Sequence, residues 1–264
     1  HDGRNHTQIS TRDYYDRETY NQLMYKQISE NEFNKLLNSY EQGGTYQKKK
    51  LKNEDVFLDK IFSTPLYGKV LNIDTKKIVS ELQKYEFHDA GVEGENDIGV
   101  ISSQTYNLNV LNDKRFEYLK ELLMDEFYLF TKEHMRYTNE FEITTSWFNA
   151  AVKGQSTNWH NHNNCMYSAV LYLQTDENSG KIAFNEHDKK RFKLAVKDYN
   201  VLNSPEWKIK PVDGLFIIFP SELYHKAQEN ESDIIRHSLA INFLPTGLLG
   251  GVHTDSHAII KVEK

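Results

Sequence analysis

The stretch "NWHNHNN" at 158–164 sets His160 and His162 one residue apart, and the apolar run "AVLYLQ" follows it. On a strand, residues i and i+2 face the same way, so this spacing lets two imidazoles reach one divalent metal. In a chain with eleven histidines an H-x-H pair arises easily by chance, so the pair alone carries little. A third imidazole comes from "GLFIIFPSELYHKAQEN", where an apolar strand and a Pro-Ser turn deliver His225 to the start of the next strand. Arg236 then heads the otherwise apolar "RHSLAINF". A permanent charge there is costly to bury without an anion, and a carboxylate is its best bidentate partner. The order His160, His162, Tyr172, His225, Arg236, Ser238 therefore points to a metal beside a small carboxylate-bearing molecule.

Other polar clusters read as structure or surface. "HTDSH" at 253–257 contains His253 and Asp255 in a literal H-x-D, but no histidine or arginine of use lies downstream. "NEHD" at 185–188 follows a strand and reads as a turn at the rim of a pocket. Cys165, beside the histidine pair, reads as a small strand residue rather than a ligand.

The elements that must carry the cluster follow from periodicity. After Tyr137 the pattern has period two: "FEITTSWFNA", "MYSAVLYLQ", "GKIAFN", "EWKIKP", "GLFIIFP" and "IIRHSLAINFL" read as strands separated by turn residues. Upstream, a strand is expected near 66–72, then a helix capped by Asp74 or Thr75 with Ile78, Val79, Leu82 and Tyr85 inward. A longer helix is expected from Asp113 to His134, with Phe116, Leu119, Leu122, Leu123, Phe127 and Phe130 in its stripe. Helices followed by six or more strands predict an α+β protein whose sheets form a sandwich or barrel. Residues 1–53 read as a separate helical extension, with a capping box at Ser29 and Glu32 and a stop at Gly43-Gly44. The remaining 54–264 read as the main domain.

Composition narrows the function classes. Net charge of −6 gives no support for nucleic-acid or anionic-membrane binding, and the basic run at 48–52 reads as a solvated linker. No apolar run approaches the length of a membrane span. A single cysteine excludes an intramolecular disulfide and fits a reducing, cytoplasmic setting. The chain begins at His1, so a removed leader or tag stays open.

Residues 142–244 resemble the double-stranded β-helix (jelly roll, cupin-like) of iron(II)- and 2-oxoglutarate-dependent oxygenases. They are most similar to a small phage and bacterial branch, with features of the prolyl-hydroxylase type. The resemblance rests on Ser146-Trp147, Asn149, Gly154, His160, His162, Tyr172-Leu173, Gly180, Phe184, Pro211, Gly214, Phe219-Pro220-Ser221, Leu223, His225, Arg236, Ser238 and Asn242, all in order. It implies Fe(II), 2-oxoglutarate and O2, with succinate and CO2 released and a substrate hydroxylated. It implies His160 and His225 as iron ligands, and Arg236, Ser238 and Tyr172 as the grip on the distal carboxylate of 2-oxoglutarate. Asn149 or Asn242 would line the site. One departure matters: His162 stands where the family has Asp or Glu. Three readings follow: His162 ligates in a three-histidine site, it points away, or the metal is zinc, which also accepts three histidines and water. A metal-binding jelly roll without 2-oxoglutarate turnover is the rival class, as is a three-histidine enzyme that does not use the oxoacid. A peptide side chain or small metabolite suits the acidic chain better than a nucleic acid, and 1–53 is a candidate dimer arm or lid.

Overall fold

The computed structural model describes residues 62–89, 102–185, 194–250, 255 and 257–261. The helices and linker expected within 1–53, most of "NEHD" and His253 lie outside these residues. The chain divides into two units, 62–245 and 1–61 with 246–264. In the second, the described residues include the end of a long strand, whose Gly247 pairs with Ile260 of the short strand Ala258–Ile260.

The first unit runs β1 (Tyr67–Val70), α1 (Thr75–Leu82), β2 (Phe87–Asp89), β3 (Ser103–Thr105), α2 (Glu117–Tyr128), β4 (Glu140–Ala151) and β5 (Tyr167–Gln174). It continues through β6 (Ile182–Asn185), β7 (Glu206–Ile209), β8 (Leu215–Pro220), β9 (Tyr224–Ala227) and β10 (Arg236–Leu249). The larger sheet has the order β1-β8-β5-β10-β4-β3-β2, and the smaller one is β7-β6-β9. The six expected strands are therefore present, within one to a few residues at most ends. The short strands β2 and β3 carry no apolar alternation, so the sequence holds no period-two signal for them.

Alternation along the central strands sorts side chains into two cores. On β5, Ala169, Leu171 and Leu173 face one core while Tyr172 faces the other; on β8, Phe216 and Ile218 oppose Ile217 and Phe219. The larger core lies under the helices, where Ile78 and Leu82 of α1 join Leu119, Leu123 and Phe127 of α2. Phe127 stacks on Phe243 of β10 with ring centroids 3.8 Å apart and planes 9° from parallel. The smaller core, with Ile182 and Phe184 of β6, fills part of the space between the sheets. The rest of that space is the site.

The helices match their expected faces but not all their bounds. Asp74 caps α1, its carboxylate accepting the Lys77 N–H at 3.0 Å. The segment expected as one helix over 113–134 is α-helical only in α2. Two 3-10 turns precede it, the second capped by Asp113, and a π-helical turn over Leu129–His134 follows. There the Thr131 hydroxyl bonds back to the Phe127 carbonyl at 3.0 Å, competing with the regular ladder. Gly214 enters β8 at φ +82, and a Cβ there would lie 2.7 Å from the Leu71 carbonyl.

Candidate active site

His160 and His162 do not sit on a regular strand. The segment leading to β5 is extended and borrows its backbone partners from β9 and the turn before it. His160 N–H donates to the His225 carbonyl at 3.0 Å, His225 N–H returns to His160 at 2.8 Å, and His162 N–H donates to Ser221 at 2.9 Å. Thr157 N–H reaches Ala227 at 3.0 Å. This short ladder carries two imidazoles across to the third. The ligand atoms of His160, His162 and His225 all lie within 4.8 Å of one another.

The tautomers follow from the acceptors. His160 Nδ1 lies 2.8 Å from the Asn158 carbonyl, and His225 Nδ1 lies 2.9 Å from the Leu223 carbonyl. A carbonyl only accepts, so each Nδ1 carries the proton and each Nε2 keeps its lone pair. Burial drives the imidazoles toward the neutral, ligating form. His225, 5% exposed, is pushed down to about 3, by burial first and then by the neighbouring His160. His162 falls to about 4 through burial and His160, and His160 is lowered chiefly by burial. Phe219 packs edge-on behind His225 with centroids 4.7 Å apart. Trp147 lies 5.8 Å from the His162 ring and donates its indole N–H to Asn149 Oδ1 at 3.1 Å. Three neutral nitrogen donors at this spacing, two oriented through their second nitrogen, fit a divalent first-row metal.

A cavity of about 400 Å³ opens from the histidines toward Arg236, which is 4% exposed. Arg236 makes no ion pair among the described residues; its Nη1 donates to the Ser179 and Gln228 carbonyls. Arg236 itself lines the cavity. Burial lowers the guanidinium from its ordinary value, against the opposing effect of Tyr172. The Tyr172 hydroxyl is pushed up to about 12 by burial and so remains a neutral donor. Ser238 stands opposite Tyr172 in the β10–β5 register, beside a bulge at His237/Ser238. All six residues singled out by type and order line this one cavity.

Asn149 and Asn242 line it too. Asn242 spends both ends of its amide on the fold, accepting from Ser168 at 2.8 Å and donating to Thr145 Oγ1 at 3.0 Å. Ser168 in turn bonds Ser221, whose carbonyl holds His162. Ser168, Gln104 and the carbonyls behind Arg236 gave no signal in the sequence beyond their place between expected strands.

Residues 145–242 match the family model described as "Putative 2OG-Fe(II) oxygenase". No curated protein matches the chain. Among solved structures, the non-heme alpha ketoglutarate dependent epimerase SnoN from nogalamycin biosynthesis superposes with a TM-score of 0.52 at 11% identity, over 70% of this chain and 80% of that one. HygX from Streptomyces hygroscopicus, with nickel and 2-oxoglutarate bound, gives a TM-score of 0.50 at 12% identity, over 69% and 84%. A Pseudomonas putida prolyl-4-hydroxylase gives 0.49 at 18% identity, over 69% and 94%. At such identities the likeness to SnoN and HygX establishes the fold, a double-stranded β-helix. The matched residues include the three histidines, the arginine and the strands that carry them, so the likeness to the 2OG-Fe(II) oxygenase model spans the whole candidate site.

Proposed function

We propose that the protein hydroxylates a peptide side chain or small metabolite, with Fe(II) held by His160, His162 and His225 and 2-oxoglutarate held by Arg236, Ser238 and Tyr172. One observation carries this reading: a neutral three-histidine cluster and a buried arginine with no ion pair among the described residues share a single cavity. Iron with 2-oxoglutarate and O2 supplies the oxidising chemistry, releasing succinate and CO2.

The chain's own share is orientation, charge and exclusion of water. Arg236 offers two donors in a fixed fork, which suits a carboxylate better than a lysine would. Tyr172 adds a neutral hydroxyl from the neighbouring strand. Val170, Ile182, Phe219 and Ala240 give the cavity an apolar wall, so an oxoacid bound against them would shed water. His162, neutral where a carboxylate is usual, leaves the metal one negative charge poorer. Among the described residues no carboxylate pairs with Arg236, so a reading without 2-oxoglutarate leaves its desolvation without an offsetting anion there. The lone Cys165 supports a reducing, cytoplasmic setting, and no helix among the described residues is long and apolar enough to cross a membrane.

The test is an anaerobic titration of metal-free protein with Fe(II) and then 2-oxoglutarate, followed by visible absorption. A weak metal-to-ligand charge-transfer band should appear, and should be absent in Arg236→Ala. No band, together with tight zinc binding, would overturn the proposal.

A further inference from the structure

Arg236 is braced from behind by residues outside the cavity. Its Nη1 donates to the carbonyl of Ser179, in the β5–β6 turn, and to that of Gln228, just after β9, the latter at 2.8 Å. Between these carbonyls sits Gly180 at φ +71. A Cβ there would lie 2.3 Å from the Glu229 carbonyl oxygen, 2.7 Å from that of Gln228 and 3.0 Å from Arg236 Nη1. The backbone thus closes on the guanidinium with no room for a side chain.

One carboxylate ties the two turns together. Asp176 Oδ1 accepts the Ser179 hydroxyl at 3.0 Å and the Asn178 N–H at 2.9 Å, while Oδ2 accepts the Ser232 hydroxyl. The Asp176 N–H returns to Ser179 Oγ at 2.8 Å. Ser179 and Ser232 are buried, while Asp176 itself is half-buried. Across the gap, Glu231 N–H donates to the Asn178 carbonyl at 3.0 Å, and the Asn230 amide holds the Ala151 and Ile234 carbonyls at 2.8 and 2.9 Å. Asp176 itself does not line the cavity.

We infer that Asp176 is a positioning residue for cosubstrate binding, acting through the Ser179 carbonyl to set the angle at which Arg236 meets a carboxylate. The inference rests on the proposed role of Arg236. A bidentate grip tolerates only about 0.5 Å and 10–20° of error. An arginine held at Nη1 by two carbonyls presents its remaining donors in one orientation. When the turn carrying Ser179 loosens, the fork rotates and one of its two bonds is lost.

The experiment measures 2-oxoglutarate affinity on Fe(II)-loaded protein without oxygen, beside metal affinity, for Asp176→Asn, Ser232→Ala, Arg236→Ala and the Asp176→Asn/Arg236→Ala pair. Asp176→Asn should weaken 2-oxoglutarate roughly tenfold, the order expected for losing one charge-assisted hydrogen bond, with metal affinity unchanged. On the Arg236→Ala background it should add nothing, because the two changes share one mechanism. Ser232→Ala should move affinity in the same direction by roughly threefold, and stands in if Asp176→Asn does not fold. Unchanged 2-oxoglutarate affinity in Asp176→Asn, or an equal loss on both backgrounds, would overturn the inference. Full affinity in Arg236→Ala would instead overturn the proposed cosubstrate site on which it rests.

Discussion

His162 carries the chemical question that is peculiar to this chain. Its ring faces those of His160 and His225 at centroid distances of 5.2 Å to each, and its backbone is held by Ser221. If it ligates, His162→Ala should cost at least the 10–100-fold in metal affinity that loss of an outer partner costs. His162→Asp should restore a carboxylate, lower the charge at the metal and raise 2-oxoglutarate decarboxylation without substrate. Metal competition and CO2 release measure these two effects. Unaltered metal affinity in His162→Ala would place this histidine outside the coordination set.

Among the elements, α2 supports the site without touching it. Phe127 is fully buried, stacks on Phe243, and lies edge-on to Phe141 and Tyr167 at 5.2 and 6.0 Å. Those rings belong to β4, β5 and β10, the strands that carry Asn149, Tyr172 and Arg236 on the opposite face. Phe127→Ala should therefore cost about 3–5 kcal/mol of stability through the cavity it leaves. Denaturant unfolding reads this loss. Under conditions where the variant stays folded, metal affinity should be unchanged, because the histidines hang from the opposite layer.

For the domain taken together, the buried histidines couple pH to stability in the metal-free state. The folded values of His225, about 3, and His162, about 4, lie below the 6.5 of ordinary imidazole. As pH falls below about 6.5 the unfolded chain takes up protons that the folded domain refuses, so stability declines with falling pH. The loss should be spread between about pH 6.5 and 3, and saturating divalent metal should move its onset to lower pH. Thermal melts of metal-free and metal-loaded protein across this range would test it; a flat melting temperature between pH 7 and 4.5 would contradict it.

Much of this was legible in the sequence because the signals are local. Period-two alternation on β5 and β8 exposes both faces of each strand, and the stripe on α2 exposes one face of the helix. The order His160, His162, Tyr172, His225, Arg236, Ser238 records side-chain chemistry, which only particular residue types supply. What could not be read was backbone chemistry across distance. Every residue owns a carbonyl, so nothing marks Asn158 and Leu223 as the acceptors that set two histidine tautomers. Nothing marks Ser179 and Gln228 as the pair that braces Arg236. Nor does spacing tell that His160 and His162 ride on an irregular segment paired with β9 rather than on a strand of their own. Residue type determined which groups this protein has for chemistry; the folding of two sheets against each other decided which of them meet, because that depends on backbone partners far apart in the chain.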